Sequence, residues 1–210
     1  VTAQTDRETR RLARRAKRRN PLAFVVVTGC YAECSPEALQ AIPEVDLIVG
    51  NEGKGNLASQ VPQPCGPLPS GTLPAGDAED RPRSLITQFA GHTRGFIKVQ
   101  EGCNASCSYC IIPRARGRSR STPLPQVVEQ ARLLGVHGHP EVVLIGIHLG
   151  QYGLDLLPHT DLASLVEALC ALPEVRRLRL SSLEPREVSP ALVRYMQAGG
   201  QALVAAAPGL

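Results

Sequence analysis

The chain has 210 residues, of which 43% are hydrophobic and only 3% aromatic, and its formal net charge is +4. This length allows one large or two small domains, and the core must be aliphatic because there is no Trp. No apolar run reaches membrane-spanning length, and an odd count of seven cysteines disfavours a secreted disulfide framework. We therefore expect a cytoplasmic protein, in a reducing compartment that suits thiolate ligands.

The first predicted element is a strongly basic helix over residues 6–20, capped by Asp6 and ended by Pro21. Eight of the 23 basic residues lie between Arg7 and Arg19. Two interpretations stay open for them. A charged helix face is often simply solvated, but dense basic charge is also typical of a surface that binds nucleic-acid phosphate.

A small α/β layer is predicted next. Apolar runs over residues 22–28 and 45–50 have the pattern of buried parallel strands, and Ser35 and Pro36 open a short helix between them. Cys30 follows the first run directly. It is therefore expected at the carboxyl end of a strand, where open α/β sheets bind their ligands.

After a Pro- and Gly-rich linker, predicted over residues 61–92, strands and helices alternate again. The strands are predicted at 94–100, 141–147 and 175–182, and the helices at 125–136, 161–172 and 190–197. Three strand-helix units in series indicate a parallel sheet with right-handed crossovers. In such an arrangement, the chemistry lies on loops at the carboxyl ends of the strands.

The loop after the first of these strands holds three closely spaced cysteines, Cys103, Cys107 and Cys110, in the order Cys-x3-Cys-x2-Cys. Three thiolates can each bind a different iron of one cubane cluster, which leaves the fourth iron open. A structural zinc site would need a fourth ligand, and the nearest candidate, His92, precedes the motif by eleven residues. An iron–sulfur cluster is the favoured interpretation, with zinc as the alternative.

This motif, with Tyr109 before its last cysteine, resembles the signature of the radical S-adenosylmethionine (radical SAM) enzymes. The longer run from Gly102 to Gly117 is similar to the methylthiotransferase family within that superfamily. The resemblance implies that Cys103, Cys107 and Cys110 are the catalytic cluster ligands. Their 4Fe-4S cluster would bind SAM at the open iron and cleave it to a 5'-deoxyadenosyl radical.

The resemblance also implies a domain organisation. Residues 1–60 would be the carboxyl-side part of a flavodoxin-like amino-terminal methylthiotransferase domain. Residues 93–199 would be a truncated radical SAM (β/α) partial barrel with three of the usual six units, and residues 200–210 a divergent tail without the next strand. Because it starts with Val1, the chain is interpreted as a fragment.

A second 4Fe-4S cluster is implied in the intact protein, because Thr28-Gly29-Cys30 matches the family's last auxiliary ligand. Its other two cysteines are expected upstream of Val1. Cys30 is therefore predicted to be a metal ligand.

Four further residues are assigned to the cofactor site by the resemblance. Tyr109 is expected to pack near the adenine of SAM, and Gly146 and Ile147 to present backbone atoms to the SAM ammonium group. Glu184, after the third strand, is expected to line the substrate cavity. His148 is interpreted as structural, with no catalytic role.

Three stretches, at 112–117, 146–153 and 179–185, resemble one tRNA-modifying branch most closely. That branch adds a methylthio group to C2 of N6-threonylcarbamoyladenosine at position 37 of tRNA. The implied partners are a tRNA anticodon stem-loop and an electron donor such as a flavodoxin or ferredoxin, with no membrane.

Other functions stay open at this point. A related methylthiotransferase could modify isopentenyladenosine-37 of tRNA or a ribosomal-protein aspartate. A non-enzymatic alternative is a metal-stabilised RNA-binding module that uses residues 7–19 as its contact surface.

Overall fold

The computed structural model of the chain describes residues 2–62, 86–197 and 203–208. Most of the predicted linker therefore lies outside the described residues. The chain divides into two compact units: Val1–Arg83 with Tyr109–Arg116, and Ser84–Ser108 with Gly117–Leu210. We describe each unit by itself.

The helices and strands alternate along the chain. The α-helices are α1 (Ala3–Arg19), α2 (Cys30–Cys34), α3 (Pro36–Gln40), α4 (Leu57–Gln60), α5 (Ile112–Arg116), α6 (Leu124–Val136), α7 (Leu162–Cys170) and α8 (Pro190–Gln197). The strands are β1 (Val26–Thr28), β2 (Leu47–Val49), β3 (Arg94–Lys98), β4 (Gln100–Glu101), β5 (Arg120–Ser121), β6 (Glu141–Ile145), β7 (Arg177–Leu183) and β8 (Leu203–Pro208). Short 3₁₀ turns lie at Glu52–Asn56, Leu149–Gln151 and Pro185–Glu187.

The basic helix α1 begins earlier than the sequence predicted. Thr2, not Asp6, is its N-cap, because the Thr2 hydroxyl accepts from the Thr5 amide at 3.3 Å and Thr5 Oγ1 accepts from the Thr2 amide at 3.0 Å. This reciprocal pair is a capping box, and it satisfies amide groups that the helix itself leaves unpaired. The helix ends at Arg19, as Pro21 predicts.

In the first unit, β1 and β2 pair in parallel, so the predicted α/β layer is present, with strands of only three residues. Val27 of β1 is buried in one cluster with Leu39 of α3 and with Ile42. The short helix α2, which the sequence pattern did not predict, begins at Cys30 directly after β1. Gly29 links the two with φ of 105°, in the left-handed region that glycine tolerates best.

In the second unit, four parallel strands form one sheet in the order β3-β6-β7-β8. Helix α6 lies between β3 and β6 in the chain, and α7 lies between β6 and β7, as the strand-helix pattern predicts. The buried residues of α6 are Val127, Ala131 and Leu134, whose spacing places one apolar stripe on a helix. They join Val142, Leu144 and the other buried strand residues in one aliphatic core.

Strand β8 differs from the expectation of a tail without a further strand. Leu203–Pro208 continues the sheet and pairs in parallel with β7. Its composition is unusual because Ala205, Ala206 and Ala207 are weak strand formers. Pairing with the neighbouring strand overrides that local preference.

No helix in the described part of the chain is both long and apolar enough to cross a membrane.

The contact between α6 and β3 gives a direct test of the core. A Cβ on Gly95 would lie 2.7 Å from Leu134 Cδ1, so the helix packs close against the strand there. Because Leu134 is fully buried, we expect Leu134→Ala to lower the free energy of unfolding by about 2–5 kcal/mol in urea titrations followed by circular dichroism. Val136→Ala, on the exposed side of the same helix, should change it by less than about 0.5 kcal/mol. Equal effects of the two changes would contradict this packing.

Candidate metal centre

The cysteine loop is closed at its base by a short antiparallel ladder. Gln100 pairs with Ser121, and Glu101 pairs with Arg120. The strand that precedes the loop, β4, thus lies beside the strand that follows the loop, β5. One step further in, the Cys103 amide donates to the Gly117 carbonyl at 3.1 Å. The first cysteine is therefore held by backbone bonds to the segment that leaves the loop.

Gly102 occupies a position where only glycine fits. Its φ is 76°, in the left-handed region, and a Cβ built there would lie 2.0 Å from the Arg118 carbonyl oxygen. Both the backbone angle and the lack of space exclude a side chain. Gly102 thus lets the two strands of the loop base approach each other directly before Cys103.

The carboxamide of Gln100 connects three parts of this site. The residue is 1% exposed, and its Nε2 donates to the Gly102 carbonyl at 2.7 Å and to Ser119 Oγ at 2.8 Å. Its Oε1 accepts from the His148 amide at 2.9 Å. When the nitrogen and the oxygen of a buried amide are both hydrogen-bonded, the partner groups are held in place, because moving any of them would leave a buried polar group unpaired. Gln100 thus ties the cysteine loop to the loop after β6.

His148 lies between Cys103 and a carboxylate. Its Nδ1 is 3.5 Å from Cys103 Sγ, and its Nε2 donates to Glu187 Oε1 at 2.5 Å. The imidazole is buried. His148 follows β6 and Glu187 follows the neighbouring strand β7, so the connections after two adjacent strands are joined at this ring. A Cβ on Gly150 would lie 2.1 Å from Glu187 Oε2, so this glycine makes room for the carboxylate. His148, interpreted from sequence as structural, is thus in direct contact with a predicted cluster ligand.

A turn after His148 is anchored on β5. The Tyr152 hydroxyl donates to the Thr122 carbonyl at 2.9 Å, and the Gly153 amide donates to Ser121 Oγ at 2.9 Å. Burial, with a smaller contribution from the charge of Asp155, raises the pKa of Tyr152 to about 12. The phenol therefore stays protonated near neutrality and remains a donor to this carbonyl.

The middle of the cysteine loop passes from one unit to the other between Ser108 and Tyr109. Cys103 and Cys107 belong to the second unit, and Cys110 to the first. All three are free thiols, with Cys107 exposed and the other two half-buried. Three unpaired thiols are a donor set that suits the three cysteine-ligated irons of a cubane.

In the first unit, the segment after Cys110 contacts the helix that begins with Cys30. Arg116 Nε donates to Cys30 Sγ at 3.2 Å, and Arg114 Nη2 donates to the Cys34 carbonyl at 3.5 Å. Asn51 Nδ2 donates to the Ala115 carbonyl at 2.5 Å, and Ala115 itself is 1% exposed. Cys30 is thus a half-buried thiol whose sulfur accepts a hydrogen bond from a guanidinium group.

The remaining predicted cofactor residues have different surroundings. A Cβ on Gly146 would lie 2.8 Å from Leu149 Cδ2 and 3.1 Å from Gln100 Cβ, so packing also requires this glycine. Ile147 is 37% exposed at the carboxyl edge of the sheet, and Tyr109 is 90% exposed. Close packing is therefore a reason for glycine at position 146 that the sequence pattern did not reveal.

One described group of side chains, His148, Glu184 and Glu187, brings three possible metal-ligand atoms within 4.8 Å of one another. Its members already have partners, since His148 bonds Glu187 and Glu184 accepts from Arg186 Nε at 2.9 Å. Within the described residues, His92 belongs to no such group. The three motif cysteines are also outside this one group found among the described residues, so the group does not decide between zinc and an iron–sulfur cluster.

Comparison with known proteins gives the class of this fold and loop. Residues 97–206, more than half of the chain, match the radical SAM superfamily. The chain therefore belongs to the radical SAM superfamily, as the cysteine motif predicts, and membership implies a 4Fe-4S cluster and SAM as cofactors. The match extends into β8, which again differs from the expectation of a divergent tail.

The relatives narrow the class further. The chain is 39% identical to the threonylcarbamoyladenosine tRNA methylthiotransferase of Aquifex aeolicus, over 93% of the chain and 48% of the relative. It is 36% identical to the protein of the same description in Bacillus subtilis, over 93% and 44%. The ribosomal protein uS12 methylthiotransferase of Lachnoclostridium phytofermentans is 30% identical, over 86% and 41%. The chain thus spans about half the length of the relatives that it matches.

Two of the glycines with positive φ in the second unit allow a controlled test of the loop base. Gly102→Ala should lower the free energy of unfolding by more than about 3 kcal/mol, because the new Cβ meets backbone as well as an unfavourable φ. Gly138→Ala, at φ of 89° with nothing within 4 Å, should cost only about 1–2 kcal/mol. Urea titrations of both variants measure this difference. A Gly102→Ala cost no larger than that of Gly138→Ala would show that the loop base is not tightly closed.

Proposed function

We propose that the protein containing this chain adds a methylthio group to C2 of N6-threonylcarbamoyladenosine at position 37 of tRNA. The observation that carries the proposal is the 39% identity, over 93% of the chain, to a threonylcarbamoyladenosine tRNA methylthiotransferase. The stretches at 112–117, 146–153 and 179–185, which resemble this branch, support the same substrate.

In this proposal, Cys103, Cys107 and Cys110 hold three irons of a 4Fe-4S cluster. The cluster and SAM together supply the radical that an unactivated aromatic C–H bond requires. The protein's task is to position its ligands and to exclude water. The bonds of Gln100 and the contact of His148 with Cys103 Sγ at 3.5 Å serve the first of these roles.

The other cofactor contacts are proposed from position. Gly146 and Ile147 present backbone groups at the carboxyl end of β6, and Glu184 extends from the end of β7. Because the strands of this sheet are parallel, their carboxyl ends meet at one edge, which is where ligands bind in such folds. Tyr109 is exposed, as an aromatic side chain available to stack on the adenine of SAM would be.

The first unit is proposed to be part of a flavodoxin-like domain with a second 4Fe-4S cluster. Cys30 would supply one ligand, and its sulfur is held by the hydrogen bond from Arg116 Nε at 3.2 Å. The proposed partners are a tRNA anticodon stem-loop and an electron donor such as a flavodoxin or ferredoxin.

A second candidate substrate is an aspartate of a ribosomal protein. The 30% identity to a ribosomal protein uS12 methylthiotransferase, over 86% of the chain, favours it, although at lower identity. Analysis of the tRNA nucleosides distinguishes the two, because only the first substrate yields a modified nucleoside.

Deletion of the gene should remove 2-methylthio-N6-threonylcarbamoyladenosine from hydrolysed tRNA, measured by mass spectrometry. The wild-type gene should restore this nucleoside, whereas Cys103→Ala should reduce it by at least about a hundredfold, because loss of one ligand prevents cluster assembly. Cys170→Ala, which removes a half-buried thiol outside the motif, is the matched control and should restore it. The substrate assignment is wrong if the nucleoside persists in the deletion strain, and the cluster assignment is wrong if Cys103→Ala restores it.

A further inference from the structure

One face of α1 presents a continuous row of arginines. Their spacing of three or four residues places them on the same side of a helix, and together they line one surface groove. This arginine face consists of Arg7, Arg10, Arg11, Arg14 and Arg18. From first to last it spans about 16 Å of the helix axis.

The helix is held so that this face stays accessible. Ala13 is buried against the rest of the first unit, and the Lys17 ammonium bonds the Asp46 carboxylate at 2.8 Å. This hydrogen bond lowers the pKa of Asp46, so the carboxylate remains charged as an anchor. The guanidinium of Arg10 lies over the Tyr31 ring, 6.0 Å from its centre, which is the outer limit of a cation–π contact.

The positive charge of the arginine face is only partly compensated. Arg11 has an exposed ion pair with Glu8 at 3.4 Å, and Arg14 has a long one with Glu44 at 3.9 Å. Among the residues that the structure describes, Arg7, Arg10 and Arg18 have no acidic partner. A helix face that is merely solvated usually mixes both signs of charge, whereas this one concentrates a single sign.

We propose that the arginine face binds the phosphate backbone of RNA, and that it is a docking surface for the tRNA substrate. The identity of the RNA rests on the proposed function, but the binding chemistry does not. A guanidinium matches phosphate geometry with two parallel N–H donors, and a row of them can follow consecutive phosphates. The cysteine motif plays no part in this surface.

A membrane surface fits the helix less well. A helix that lies on a bilayer inserts an apolar face opposite its basic face. On α1 the only large apolar side chain is Leu12, and the buried side of the helix, at Ala13, already packs on protein. The face is therefore suited to a polyanion in water rather than to a lipid headgroup layer.

Matched double variants of the full chain test the proposal. Arg7→Gln with Arg18→Gln removes two charges from the arginine face. Arg15→Gln with Arg19→Gln removes the same charge from exposed positions of the same helix that do not line the groove. Binding of an unmodified tRNA transcript is measured by fluorescence anisotropy over a series of KCl concentrations. Circular dichroism verifies that both variants keep the helical content and unfolding midpoint of the wild type.

The first variant should weaken binding by about tenfold near 0.1 M salt and should lower the slope of log affinity against log salt by about 2, or about one unit for each lost phosphate contact. The control pair should lower the slope by less than half as much. Equal effects of the two pairs would mean that only net charge matters, and an unchanged slope in the first variant would mean that the face is solvated. Either result overturns the proposal.

Failure of this proposal can be told apart from failure of the proposed function. If the methylthio nucleoside depends on the gene but the first variant keeps the wild-type slope, only the docking surface is wrong. If the slope falls as expected but the nucleoside does not depend on the gene, the surface stands and the substrate assignment is wrong.

Discussion

The candidate site depends on one buried carboxamide. Gln100 lies where the first strand of the parallel sheet runs into the cysteine loop, and it bonds both sides of the loop base and the backbone of His148. Its 1% exposure means that water cannot replace any of these partners. The positions of Gly102, Ser119 and His148 are therefore coupled. The loop that presents Cys103 is fixed from within the fold, although the cysteines themselves remain partly accessible.

The same edge of the sheet adds a second constraint on Cys103. His148 and Glu187 follow different strands, and their hydrogen bond at 2.5 Å spans the two connections. Parallel strands bring such residues together because their carboxyl ends share one edge. A sulfur beside an imidazole with a carboxylate partner is a typical surrounding for a metal ligand, since such partners orient the ligand and tune the bound metal. The fold thereby adds the His148 side chain as a second support for the same cysteine.

The sequence predicted those parts of the molecule that local patterns control. The helix at α6 followed from hydrophobic periodicity, and the strand at β6 followed from a run of apolar residues. The spacing of the three cysteines led to the prediction of a cluster site. It did not single out Gln100 or Glu187, because a lone polar residue has no periodicity. Both bond His148, which lies 48 residues from Gln100 and 39 residues from Glu187 in the chain. The N-cap at Thr2 and the strand β8 were mispredicted for related reasons, since a side-chain pair and a neighbouring strand outweighed local preference. A polar residue at an inward position of a strand, as at Gln100, is the pattern that could have revealed the network.

The most direct test of the cysteine loop as a SAM-binding cluster site is electron paramagnetic resonance of the chain after anaerobic reconstitution with iron and sulfide. We predict a brown protein whose reduced form gives the spectrum of a single-electron-reduced 4Fe-4S cluster, and we predict that SAM changes this spectrum and is cleaved to 5'-deoxyadenosine. A colourless protein that binds stoichiometric zinc instead, or a cluster spectrum unaffected by SAM, would contradict the account.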